Sequence, residues 1–239
     1  ASEARLTSLL PIAKGDAPLR HWAKLGRPIG RFGGARGLLS WSGTMFEYLL
    51  PPLLVDEGRD TLLDVSARAA IQARIAWGRK LGQPWGVSES GYAKFDAHNH
   101  YQYRAFGVPS TGFRRGLELD RVVAPYASVI ALAYAPVEVA ANLDAIQAAG
   151  GCGPLGLFEA IDYTRERIGI GNDHEVVRSY MSHHQGMVML ALHGYLCPTT
   201  MPQRMHRNPA LRSVDLLLHE RSPGRVPVEQ PQPAEQGPP

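Results

Sequence analysis

At 239 residues, with 44% hydrophobic and 20% charged residues, the chain has the make-up of a soluble globular protein able to bury a sizeable core. Its formal net charge of +3 is too small for a nucleic-acid footprint, and Arg31, Arg36, Arg68, Arg74, Arg79, Arg114 and Arg115 are scattered rather than clustered. No run approaches the ~20 apolar residues of a membrane span, since Pro125 and Gly194 interrupt the longest candidates, 122–135 and 187–196. The chain opens on Ala1-Ser2-Glu3-Ala4-Arg5, without an initiating Met or a signal peptide, and reads as a piece of something longer. Cys152 and Cys197 read as reduced thiols, because a core of this size requires no staple.

In chain order, Ser2 is placed to cap a helix running to about Lys14, with Leu6, Leu9, Leu10 and Ala13 on one face. A short helix follows over Pro18–Leu25, then Gly and Pro crowd residues 26–37 into a turn or loose hairpin. Met45–Leu50 predicts a helix ending at Pro51-Pro52. Thr61–Leu81 is the clearest amphipathic helix, stopped by Gly82. Residues 83–118 show no sustained period, and an unpatterned loop of that length is usually functional. Helices resume over Ala124–Tyr134, Pro136–Ala149, Val176–Leu196 and Ala210–Glu220, with a short apolar passage at Gly153–Tyr163. From Ser222 the composition is that of a disordered Pro/Gln-rich tail. Some seven or eight helices with long loops at alternate ends predict an all-α, toroid-like architecture.

Four carboxylates sit among aromatic and small residues rather than among charges: Glu47, Glu89, Glu159 and Asp162. An ionised carboxylate in apolar surroundings is costly unless it is paired, so each is either bonded structurally or kept for proton transfer. Glycoside chemistry needs two carboxyl groups in different environments. Trp41, Trp85, Tyr92, Tyr101, Tyr103 and Phe106 lie in the same loop-rich segments, where aromatic faces can stack on pyranose rings. Asn99, Gln102, Arg104 and Gln185 are placed to bond hydroxyls. A rival metal reading of Asp96, His98, His100, His183 and His184 is weak. Histidines two apart share a face only on a strand, and adjacent ones point about 100° apart on a helix.

Six stretches, in order, resemble the glycoamylase-like domain of cyclic β-1,2-glucan synthases. They are Leu38-Leu39-Ser40-Trp41-Ser42-Gly43-Thr44-Met45-Phe46-Glu47-Tyr48-Leu49, Pro84-Trp85-Gly86-Val87-Ser88-Glu89-Ser90, and Tyr101-Gln102-Tyr103-Arg104-Ala105-Phe106-Gly107-Val108-Pro109. The others are Val123-Ala124-Pro125-Tyr126-Ala127, Phe158-Glu159-Ala160-Ile161-Asp162-Tyr163-Thr164 and Ser182-His183-His184-Gln185-Gly186-Met187. The resemblance implies an (α/α)6 barrel, of which residues 1–220 would be the C-terminal part and 221–239 a tail. It implies transglycosylation closing linear β-1,2-glucan into a ring, with endo-β-1,2-glucanase hydrolysis or a non-catalytic glucan-binding fragment as alternatives. No metal or cofactor is expected. The expected partners are β-1,2-glucan and the other domains of a membrane-associated synthase, on the cytoplasmic side of a bacterial inner membrane. A β-linked chain giving a β-linked ring requires net retention, hence two carboxyl groups about 5–5.5 Å apart. Glu89 and Glu159 are the first-choice pair, then Glu47 and Asp162; His183 and His184 join the aromatic and amide residues as substrate contacts. An incomplete barrel would also leave Leu6, Leu9, Leu10, Leu211, Leu216 and Leu217 exposed beside a gap.

Overall fold

The computed structural model describes residues 3–197, 200–222 and 227–229. The Ser2 cap and most of the expected tail therefore lie outside the described residues. The first helix, α1 (Ala4–Lys14), ends on Gly15 in the left-handed conformation, and α2 (Arg20–Lys24) buries Trp22. Strands β1 (Ile29–Phe32) and β2 (Ala35–Leu38) form an antiparallel hairpin where the Gly/Pro cluster predicts a turn.

Helix α3 (Met45–Leu54) runs through Pro51-Pro52, four residues beyond its expected end. Two prolines in a row remove the backbone donors to Glu47 O and Tyr48 O. Both carbonyls instead accept from the buried Arg5 guanidinium at 3.0 Å, so the helix continues. Its start is a capping box: Thr44 Oγ1 accepts from Glu47 N, and the Glu47 carboxylate accepts from Thr44 N. Thr44→Ala is expected to cost about 1 kcal/mol, a fall of about 2–4 °C in thermal midpoint for a chain of this size. Helix α4 (Leu62–Leu81) starts one residue later than expected, with Thr61 as its cap accepting from Asp64 N, and ends as expected on Gly82, which is left-handed.

The unpatterned segment holds a second hairpin, β3 (Ser90–Phe95) with β4 (Tyr101–Arg104), whose register shifts between Tyr92 and Phe95. Strand β5 (Val122–Val123) leads into α5 (Pro125–Val129), shorter than expected, and α6 (Pro136–Ala148) follows. Two small strands, β6 (Cys152–Gly153) and β7 (Gly156–Leu157), pair with each other. Next, β8 (Ala160–Asp162) lies between β5 and β9 (Glu175–Val177) in a three-stranded antiparallel sheet. Helix α7 therefore begins at Ser182 and runs to Leu196 rather than starting at Val176. The short run Val176-Val177 does not distinguish helix from strand by period, and pairing with Ala160 and Ile161 decides it. Finally α8 (Thr200–His206), α9 (Pro209–Arg212) and a 3₁₀ turn (Asp215–His219) replace the single helix expected over 210–220.

Among the described residues there are thus nine α-helices and nine short strands in four small sheets, so the all-α expectation is corrected. None of these helices is long and apolar enough to cross a membrane. The largest core joins α3, α4, α5 and α7 through Met45, Tyr48, Leu49, Ala70, Ile71, Tyr126, Ile130, Met187 and Val188. A second cluster closes α1, α2, the first hairpin and α9 around Leu9, Trp22, Leu38, Leu62 and Leu211. The expected row of exposed leucines is corrected with it. Helix α1 packs on α9; Leu9 and Leu211 are buried, Leu6 and Leu217 pack against them, and Leu10 and Leu216 face solvent. Cys152 and Cys197 are both exposed, and no disulfide joins them.

Candidate active site

The four singled-out carboxylates differ sharply in how they are satisfied. Glu47 is buried, and its oxygens accept from Ser40 Oγ (2.8 Å), Ser42 N (3.1 Å) and Thr44 N (3.0 Å). It closes the turn entering α3. That turn needs Gly43, whose φ of +71° is left-handed and whose added Cβ would come within 2.9 Å of Gly112 N. Asp162 is fully buried and accepts from Ala93 N (3.0 Å), Thr164 N (2.9 Å) and the Arg167 guanidinium (2.6 and 3.1 Å), locking β3 to β8. Glu159, 2% exposed, accepts from Gly91 N and His184 Nδ1, both at 2.9 Å.

Glu89 is different. It lies half-buried just before β3, and among the described residues its carboxylate has one hydrogen bond, a long 3.4 Å contact from the Tyr103 hydroxyl. Burial pushes its carboxyl above the ordinary carboxylate range; the charges of Glu3 and Glu47 add to this, while His184 and Tyr103 pull the other way. Glu89 and Glu159 are therefore joined through Tyr103 and His184, because the Tyr103 hydroxyl also lies 3.4 Å from His184 Nε2.

Sequence reasoning did not single out Glu3. Its Oε2 is buried with no hydrogen-bond partner among the described residues, and burial, with Glu47 next to it electrostatically, raises its carboxyl. It is held there by its neighbour-but-one: Arg5 makes a buried ion pair with Glu57 (2.6 Å) while bonding the α3 carbonyls. A buried acceptor left unbonded costs about 1–3 kcal/mol, and the charge of Glu3 is the second-largest cause of the raised Glu89 carboxyl, after burial. Nothing in Ser2-Glu3-Ala4 signals this, since an acidic residue opening a helix is ordinary.

Arg74, fully buried on α4, braces both loops of the site by donating to Gly43 O and to Val87 O (3.2 Å). Burial lowers its pKa to about 10, against the opposing charges of Tyr48 and Glu47. Tyr126 on α5 donates to Glu89 O (3.0 Å), lies 2.9 Å from Ser88 Oγ, which can donate to it, and stacks on His184 at 3.7 Å. The sequence put Tyr126 in a motif without a role.

The remaining candidates divide into surface and scaffold. Trp41 is 64% exposed at a cavity of about 290 Å3 that Ala4, Trp22, Leu39 and Phe113 also line. Trp85 is buried in the main core, its backbone clasped by Asn142. Tyr92 is buried edge-on against Phe106 and bonds Gln102; Tyr101 packs on Phe95 at 4.5 Å. Arg104 pairs with Asp120, and Gln185 Nε2 donates to Leu157 O (3.0 Å). His183 is exposed beside His184, while Asp96, His98, Asn99 and His100 form the tip of the β3–β4 hairpin. Among the described residues no three or more His, Cys, Asp or Glu converge as metal ligands.

The family model Glycoamylase, described as "Putative glucoamylase", matches residues 1–209. The cyclic β-(1,2)-glucan synthase NdvB of Rhizobium meliloti (strain 1021) is 44% identical over 95% of this chain, which spans 8% of that protein's length. A "putative glucoamylase" from Bacteroides uniformis has a similar fold, with TM-score 0.65 and 17% identity over 93% of this chain and 55% of its own. The endo-β-1,2-glucanase of Chitinophaga pinensis, solved with sophorotriose and glucose, gives TM-score 0.60 at 16% identity over 84% of this chain and 48% of its own.

Proposed function

The chain belongs to the glycoamylase-like family, and from that premise we propose that residues 1–220 form a sugar-processing domain that cleaves a β-1,2-glucosidic bond and re-forms it within one chain. The observation that carries the reading is Glu89, a half-buried carboxylate held by one long hydrogen bond among otherwise well-bonded acids, with burial and then the charge of Glu3 raising its carboxyl. Like charges acting on one another in a partly buried site favour a singly protonated pair. One member then donates a proton to the departing glycosidic oxygen while the other, ionised, stabilises or captures the anomeric carbon. Glu159 orients His184, and Glu47 and Asp162 hold the backbone, so these three shape the site rather than react.

The glucan's own 2-hydroxyl is the acceptor for ring closure, with Trp41 and Phe113 as the platform for pyranose faces and Tyr103 and His183 at the site's exposed edge. Identity to NdvB over nearly the whole chain favours this substrate and the cyclising outcome. In the longer protein, the other regions would supply linear glucan on the cytoplasmic side of the inner membrane.

The test incubates linear β-1,2-glucan with the protein and follows products by mass together with reducing ends. Ring closure releases one shorter chain for every ring, so cyclic products should accumulate while the number of reducing ends stays constant. A steady rise in reducing ends without rings would assign hydrolysis instead, and tight binding with no new product a binding role.

A further inference from the structure

Three hydrogen bonds link Glu89 through Tyr103 and His184 to buried Glu159, and their hydrogen count is informative. Glu159 accepts from His184 Nδ1, so that nitrogen carries a proton and Nε2 faces Tyr103. The Tyr103 hydroxyl has one proton but two neighbours at 3.4 Å, Glu89 Oε2 and His184 Nε2, and can donate to only one of them. We infer that Tyr103 and His184 form a proton relay behind Glu89, with Glu159 as its fixed end. The inference rests on the reading of Glu89 as a reacting carboxylate.

Two arrangements hold the same number of protons. In one, His184 Nε2–H donates to the Tyr103 oxygen and Tyr103 donates to ionised Glu89. In the other, protonated Glu89 donates to the Tyr103 oxygen and Tyr103 donates to His184 Nε2. Going from the first to the second, the Nε2–H bond breaks as a new bond forms at the Tyr103 oxygen, and the old phenolic O–H breaks as Glu89 Oε2–H forms. Tyr103 begins and ends as a phenol, which suits a hydroxyl held well above its ordinary pKa by burial and by the charges of Glu89 and Glu159.

Packing holds the middle of this hydrogen-bond chain: His184 is 1% exposed, stacked on Tyr126 at 3.7 Å and 13° and on Tyr103 at 6.0 Å. The charged and titratable groups facing the relay are Glu3 from the chain start, Glu47 from α3, Tyr126 from α5 and His183 from α7. Links of 3.4 Å are long, and catalytic hydrogen bonds commonly tighten once substrate excludes water. Tyr103 and His184 are on this account positioning residues, supplying Glu89 with its proton and recovering it.

The test measures the His184 ring-nitrogen signals by NMR against pH in the full chain, as wild type, Glu89→Gln, Tyr103→Phe and the double variant. Tyr103 is 40% exposed and Phe keeps its ring, so the fold should survive, which a melt checks. A relay predicts that Glu89→Gln moves the Nε2 titration by about half a pH unit or more with Tyr103 present, and by less than about half that amount with Phe. Equal shifts in both backgrounds, or no shift in either, would overturn the relay. In turnover, Tyr103→Phe should lower kcat on linear β-1,2-glucan about tenfold or more, with KM within about twofold and a displaced pH profile. An inactive wild type would sink the proposed function but leave the NMR result decisive for the relay.

Discussion

Glu89→Gln is expected to lower turnover of linear β-1,2-glucan by about 10²–10⁴-fold or more, with glucan affinity and thermal midpoint little changed. The amide keeps the size of the carboxylate and can still meet the Tyr103 hydroxyl, but it neither exchanges a proton nor bears charge. Stability should hold because Glu89 has so little to lose: one 3.4 Å contact and a position that burial already disfavours for its charged form. Glu47→Gln, by contrast, disturbs a carboxylate accepting from three donors and should act mainly on stability. The wild-type pH profile follows from the shared proton. Activity needs one proton on the Glu3–Glu89 pair, so it falls at low pH as both protonate and at high pH as the last proton leaves. The alkaline limb should lie above the ordinary glutamate value of about 4.3, because burial raises both groups, with the charge of Glu3 adding at Glu89 and that of Glu47 at both. Undiminished turnover in Glu89→Gln would move the chemistry to another carboxylate, with Glu3→Gln the next variant to measure.

Arg5→Ala should be the most destabilising single change in the chain's first helix, by about 3–5 kcal/mol. It leaves Glu57 buried without its cation and orphans the Glu47 and Tyr48 carbonyls that Pro51 and Pro52 cannot serve. In thermal denaturation this corresponds to a fall of roughly 6–20 °C. The pH dependence has a definite sign. Burial already raises the Glu57 carboxyl, with Arg5 opposing that shift. Without Arg5 the folded state holds this proton more strongly than the unfolded chain does, so stability falls as pH rises through the raised value. The defect should therefore be smallest in acid and largest near neutrality. Pairing Arg5→Met with Glu57→Leu removes the stranded charge and should recover part, though not all, of the loss, since the two carbonyls remain unbonded. A flat pH response, or no recovery in the double variant, would show that the ion pair contributes little. Glu3 sits two residues from Arg5, so activity should fall further than stability alone accounts for.

The sequence by itself determined the elements whose signals are local. The Thr61–Gly82 frame of α4, the Gly15 end of α1, the proline start of α6 and the glycine-rich first hairpin each follow from backbone preferences within a few residues. It also marked the segments holding the site, because aromatic and small residues around an acid are visible without coordinates. How Glu89, Glu159 and Asp162 are bonded was decided only by the tertiary structure. Glu47, Glu89, Glu159 and Asp162 look alike in sequence, yet Glu47 is closed by its own turn, Ser40 to Thr44, while Glu159 takes Gly91 N and His184 and Asp162 takes Ala93 N from distant segments. The same holds for α3, whose passage through two prolines depends on a guanidinium from α1, and for Val176-Val177, which becomes a strand because β8 lies beside it. Glu3 is the sharpest case. Its sequence setting is that of an ordinary helix start, and its meaning comes from the burial and charge of residues more than forty positions away, which no local pattern encodes.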